Sequence, residues 1–242
     1  PAPKLLLHPD AQDPLDISFY GTCYFPYPGR QDLHVVVLPV FHQVTDHVDL
    51  QISFSRDGHV WTRPERRAIL SLGQRGSGEE GQLYPRRPPV VLPDGYWALP
   101  YMSRSGLHTV PPDYQKELFP EIGPVQHKWA RWREHRLCGV EAEKEGRFTI
   151  ATVFRQEKEL RLNYRCAPGG WISIELIQAV PAKDCPDVEP LEGFTFAECD
   201  RQVGDEVEQV VTWKGNSDIS SVGEMAAIRV NMFQAKLFAY RI

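Results

Sequence analysis

"HVDLQISFSRDGHVWTRP", residues 47–64, decides the fold. Its opening residues alternate, with Val48, Leu50 and Ile52 on one face and Asp49 and Gln51 on the other. A period of two is that of a β-strand. Asp57-Gly58 then interrupts the strand. Glycine accepts the positive φ of a tight turn, and the aspartate side chain takes hydrogen bonds from the turn's own amides. Trp61 is placed to fold back on the sheet as an apolar anchor. The run "RAILSL" (67–72) follows as a second, shorter strand. The pattern predicts a hairpin whose loop is structural rather than a direct substrate contact.

The same alternation recurs later in the chain. "ELRLNYRC" (159–166) sets Leu160, Leu162 and Tyr164 against Arg161, Asn163 and Arg165. "WISIELI" (171–177) puts Ile172, Ile174 and Leu176 on one face, and "AAIRVNMF" (226–233) does so with Ile228, Val230 and Met232. Such segments read as antiparallel strands with one buried and one wet face. "EKEGR" (143–147), "APGG" (167–170) and "KGNSD" (214–218) read as the turns between them. Close strand spacing predicts a β-sandwich here. "PPDYQKELF" (111–119) is the one short helical candidate.

Composition separates two regions. Seventeen of the 21 prolines and six of the eight histidines fall in residues 1–124. Prolines at that density keep helices out and favour short strands joined by irregular loops. The chain is therefore expected to be all-β, with a boundary near residue 125 between regions 1–124 and 125–242. The formal net charge is −5 and no basic block is present, which argues against nucleic acid as a partner. The longest apolar run, "VVVLPVF" (35–41), is far short of the roughly 20 residues that cross a bilayer. No charged-then-apolar leader opens the sequence, so no secretory signal is read, and 42% hydrophobic with 24% charged residues leads to the expectation of a soluble protein without a membrane partner. Five cysteines without a CxxC pair favour reduced thiols over a Cys185–Cys199 disulfide.

Segments 16–29, "DISFYGTCYFPYPG", 55–73, 130–154 and 210–242, taken in that order, resemble a bacterial group similar to glycoside hydrolase family 32. Ser-x-Asp-Gly-x-x-Trp is one residue shorter than the Asp-box turn of sialidase propellers. The resemblance is strongest at "TWKG" (212–215) and "LFAYRI" (237–242). It implies a five-bladed β-propeller followed by a β-sandwich. Five blades need about 300 residues, at roughly 40–60 per blade. Residues 1–124 have room for about two. The reading is thus partial propeller blades followed by a β-sandwich, with an N-terminal propeller half expected as a separate chain or missing segment. The family's "WMNDPNG" and "RDP" motifs are absent, and Glu198-Cys199 has the letters of its third motif but lies in the expected sandwich.

The function implied is hydrolysis of a glycosidic bond of a carbohydrate; the alternative is a non-catalytic carbohydrate-binding or assembly module. Glycosidases use two carboxyl groups about 5–5.5 or 6.5–9.5 Å apart. Glu79 and Glu80, set among glycines before Leu83-Tyr84, and Asp16, before "FYGTCYFPYP", are the catalytic candidates. Adjacent acids on a strand point to opposite faces, so only one of Glu79 and Glu80 would face an active site. Tyr20, His42, Tyr84, Arg86 and His108 are the substrate-binding candidates. Arg86, with Arg87, suits a carboxylate- or sulfate-bearing sugar through fork-shaped hydrogen bonding. Trp97, Tyr101, Trp129 and Trp132 are candidate stacking platforms or packing residues. Asp200, Asp205 and Asp218 fit no calcium-loop motif, so neither a metal nor another cofactor is assigned.

Overall fold

The computed structural model describes residues 5–118, 123, 125–152, 154, 158–178, 188–224 and 226–242. The described chain is all-β apart from α1 (Pro112–Leu118), the helix expected from the sequence. It forms two compact units, Pro1–Glu134 and His135–Ile242. The division falls after Glu134, later than residue 124, because β8 (Gln126–Arg133) pairs along its length with β7 (Tyr96–Arg104). No helix among the described residues is long and apolar enough to cross a membrane.

The first unit is one sheet of eight strands. β1 (Ile17–Phe19) and β2 (Cys23–Pro26) pair with one edge of β3 (His34–His42), and β4 (His47–Ser55) pairs with the other. β5 (Gln82–Pro85) and β6 (Val90–Val91) likewise share one edge of β7, with β8 on the other. One parallel pairing, Val48 with Gln82, joins the two groups. The strand order runs from β1 to β6 without closing.

The turn after β4 forms as its sequence predicts. Asp57 Oδ1 accepts from the His59 and Val60 amides at 2.8 Å each, and the Ser55 hydroxyl accepts from the Gly58 amide at 2.9 Å. Gly58 takes a φ of +72°. Trp61 packs against the cluster of Ile17, Val36, Leu38 and Val40. The return arm differs from expectation. Its backbone pairs with β4 only at Thr62 and near Leu70, so "RAILSL" is not a strand. Pro64 has no N–H for a ladder, and Arg63 and Arg66 are drawn into an ion cluster instead.

That cluster covers the face of β4 that alternation marks as polar. Arg63 binds both oxygens of Asp13, at 2.8 and 2.6 Å, and the Gln51 amide oxygen at 2.6 Å. The side chains of Arg63 and Asp13 are only 3% and 1% exposed. Arg66 bridges Asp13 and Asp10 at 2.8 Å each. The guanidinium of Arg63 also lies 4.7 Å over the Phe19 ring. Both faces of the hairpin are therefore buried, one by Val48, Leu50 and Ile52 and the other by charge pairing.

The second unit is a five-stranded sheet of β9 (Val140–Ala142), β10 (Gly146–Ala151), β11 (Arg161–Gln178), β12 (Asp205–Val210) and β13 (Ala226–Arg241). All nine apolar residues picked out by alternation lie in its core at no more than 1% exposure. The turn expected at 167–170 is instead a wide bulge. Cys166 pairs with Ala235 and Trp171 with Phe233, so the chain continues in one direction along β13. Gly170 permits this, since a Cβ there would lie 2.3 Å from the Gln234 carbonyl. The face expected to be wet is partly covered. Ser173, Glu175 and Asn231 are buried, and Glu175 pairs with Arg229 while accepting from the Phe196 amide. Cys23 and Cys199 are buried thiols, and Cys185 lies outside the described residues.

Candidate functional site

Strand pairing in the first unit builds a cleft of about 490 Å³. On β5, Gln82 and Tyr84 share a face, and Arg86 continues the alternation just past the strand end. Directly opposite, β7 places Arg104 across from Gln82 and Met102 across from Tyr84, on the same side. Pro39 of β3, Tyr20 after β1 and His108 after β7 complete the walls. Tyr20, Tyr84, Arg86 and His108, expected from the sequence, thus line one cleft.

A hydrogen-bonded trio forms its polar centre. Gln82 is buried, and its Nε2 donates to the Gly106 carbonyl at 2.7 Å, which leaves Oε1 as an acceptor. The Tyr84 hydroxyl donates to that oxygen at 3.0 Å. His108 Nδ1 lies 2.9 Å from the Tyr84 oxygen and 3.2 Å from Gln82 Oε1. Gln82 Oε1 can only accept, and the single Tyr84 proton is already given. Nδ1 therefore carries the histidine proton. Nε2 has no protein partner among the described residues and is open toward a ligand. Burial pushes the Tyr84 hydroxyl up to about 12, so it remains a donor near neutral pH.

His108 is held by backbone as well as by the trio. Its amide donates to the Asp46 carbonyl at 3.0 Å, and the next amide, of Thr109, donates to the Asp46 carboxylate. Gln115 of α1 donates to the Leu107 and Val110 carbonyls from a buried position. The loop passes so close to β5 that a Cβ on Gly81 would lie 2.2 Å from the Gly106 carbonyl. Tyr20, 42% exposed, meets the His108 ring edge-on at 4.7 Å and Phe41 at 5.3 Å. The cleft therefore offers an aromatic wall, fixed donors and acceptors, and two guanidiniums.

The remaining candidates stand apart from it. Glu79 accepts from the Tyr101 hydroxyl and pairs with Lys128 at 3.3 Å. Tyr101 faces Lys128 across β7 and β8 on the side opposite Met102 and Arg104. Glu80 turns back on its own loop, accepting from the Gly76 amide at 3.0 Å. Partial burial raises the pKa of Glu80, but surrounding backbone amides outweigh it and hold the carboxyl below its ordinary value. Such a group is a poor proton donor at neutral pH. Asp16 accepts from the Gln43 amide through its carbonyl and from the Val44 amide through Oδ2, at 2.7 and 3.4 Å. His42 follows Phe41 by one residue, so alternation sends it to the other face of β3. There its Nε2 lies 3.0 Å from Asp49. Trp97 and Tyr101 are core residues at 1% and 5% exposure, not stacking platforms, whereas Trp129 is 59% exposed.

Among the described residues no Asp or Glu lines the cleft, and no three His, Cys, Asp or Glu side chains gather as a metal site. Gln82 and Arg104 escaped the sequence reading. The signal available was the alternation Gln82-x-Tyr84-x-Arg86, which marks one face directly; Arg104 needed the register of β7. A second cleft, in the other unit, surrounds the bulge at Cys166–Trp171. Arg201 covers the Trp171 ring at 4.3 Å, and burial pushes the Cys166 thiol up to about 11, leaving neither an open platform nor a ready nucleophile. Compared with protein-family models, curated proteins and solved structures, the chain has no match in any of the three.

Proposed function

We propose that this chain belongs to a carbohydrate-active protein of the glycoside hydrolase family 32-like kind that its sequence resembles, and that the first unit's cleft binds a sugar. The observation that carries the reading is the cleft lining: the exposed Tyr20 ring beside the Tyr84–Gln82–His108 trio, in a groove of sugar-binding size. Two antiparallel groups, β1–β4 and β5–β8, the first followed by the Ser55–Trp61 turn, support their reading as propeller blades. The second unit, whose described strands form one five-stranded sheet, is the counterpart of the expected β-sandwich in this reading.

Of the two roles, binding is favoured over bond cleavage within this chain. Asp16, Glu79 and Glu80 are all engaged in turns or clamps, and none reaches the cleft. Hydrolysis by the whole protein would draw its acid pair from polypeptide outside this sequence, the expected remaining propeller half.

Titration of the 242-residue chain with a panel of oligosaccharides tests the reading by calorimetry. Binding is expected, weakened about tenfold by Tyr20→Ala and severalfold by Tyr84→Phe, which removes the hydroxyl that joins Gln82 to His108. Glu79→Gln with Glu80→Gln leaves it unchanged. Absence of binding, or binding indifferent to both tyrosines, contradicts the proposal.

A further inference from the structure

Six of the eleven arginines of the first unit sit beside an acid. Arg30, Arg56, Arg63, Arg66, Arg67 and Arg131 each pair with an aspartate or glutamate. Arg86 and Arg104 line the cleft, and neither guanidinium has a carboxylate partner among the described residues. The chain as a whole carries a net charge of −5, so this local excess of positive charge runs against its composition. Two cations lining a groove that no carboxylate lines leave positive charge there for an anion to answer.

Register sets their spacing. Arg104 sits opposite Gln82, and the Arg86 amide donates to the Pro100 carbonyl at 2.9 Å, further along the same pair of strands. Four residues of strand separate positions 82 and 86, roughly 13 Å at about 3.3 Å per residue. The two arginine positions therefore stand at opposite ends of this stretch, with Tyr84 and Met102 between them. Arg87, the neighbour first paired with Arg86 by sequence, is not among the residues lining the cleft.

We infer that the cleft takes an acidic oligosaccharide, bearing uronate carboxylates or sulfate esters on more than one residue, with Arg86 and Arg104 each holding one anion. This rests on the carbohydrate reading and names the class of sugar. The planar fork of arginine matches both carboxylate and sulfate oxygens. Thr22 and the trio are left to hold the sugar hydroxyls between the two anchors.

The test uses trigalacturonate and a sulfated carrageenan oligosaccharide, each beside its carboxyl-reduced or desulfated counterpart, titrated into the full chain. At least one acidic probe is expected to bind ten- to hundredfold tighter than its neutral partner, and the two acids separate carboxylate from sulfate recognition. Arg86→Gln and Arg104→Gln should each weaken the acidic probe about tenfold and the double variant about a hundredfold, since distant contacts add. The melting temperature should stay unchanged, because neither guanidinium has a carboxylate partner among the described residues to lose. Equal binding of acidic and neutral probes, untouched by either variant, overturns this inference and leaves the carbohydrate reading standing. Binding of inorganic sulfate with no binding of any oligosaccharide overturns both.

Discussion

Replacing Asp13 with leucine should cost the first unit much of its stability. The carboxylate is 1% exposed and serves two guanidiniums, of which Arg63 is itself 3% exposed. Its loss leaves Arg63 buried without a counter-charge, a change that costs about 3–5 kcal/mol. Unfolding entropy near 2.1 cal/mol/K per residue gives about 0.28 kcal/mol/K for the unit's 134 residues. The expected fall in melting temperature is therefore about 10–18 °C, read by calorimetry of the full chain. Adding Arg63→Met removes the stranded charge, so the double variant should recover part of the loss. Acid should narrow the gap between wild type and Asp13→Leu. Burial raises the pKa of Asp13, but hydrogen bonds from Arg63, from the Asp10 amide and from Arg66 outweigh it and hold the carboxyl below its ordinary value. Its contribution is thus complete above about pH 4 and fades as pH falls through the lowered value. A loss under about 1 kcal/mol, or a double variant less stable than the single one, would refute the reasoning.

Gly81→Ala should lower stability by about 1–3 kcal/mol, because its Cβ would meet the Gly106 and Ser105 carbonyls at 2.2 and 2.6 Å and backbone cannot rotate away. Thermal denaturation reads that loss, and sugar affinity should fall with it as the His108 loop shifts. Trp213→Ala should cost the second unit about 3–5 kcal/mol, measured by urea unfolding. Trp213 is 3% exposed, and its indole N–H donates to the Ile174 carbonyl at 3.1 Å.

Period-two alternation made the strands legible. Leu160, Ile174 and Val230 were placed in a core from the sequence, and all are fully buried. The turn at Asp57-Gly58 was legible because its hydrogen bonds are local. What alternation missed was set by distant partners. Gln51 falls on the polar face by alternation, yet Arg63 covers it, and Asp49 on the same face is taken up by His42. Ala167–Gly170 has turn composition, but pairing of both flanks with β13 keeps the chain running straight. In the cleft, Tyr20, Tyr84, Arg86 and His108 were named individually, whereas Gln82 and Arg104 join them only through the β5–β7 register. His42 was lost by one residue, since its neighbour Phe41 is the one on the cleft side.

The measurement that bears most directly on this account is an amide and side-chain NMR titration of the full chain with trigalacturonate and, separately, with the sulfated carrageenan oligosaccharide. Shifts should concentrate at Tyr20, Gln82, Tyr84, Arg86, Arg104 and His108, with the His108 ring spectrum reporting a proton on Nδ1 before ligand is added. Shifts confined to Trp171, Arg201 and their neighbours in the second unit, or none at all, would contradict it.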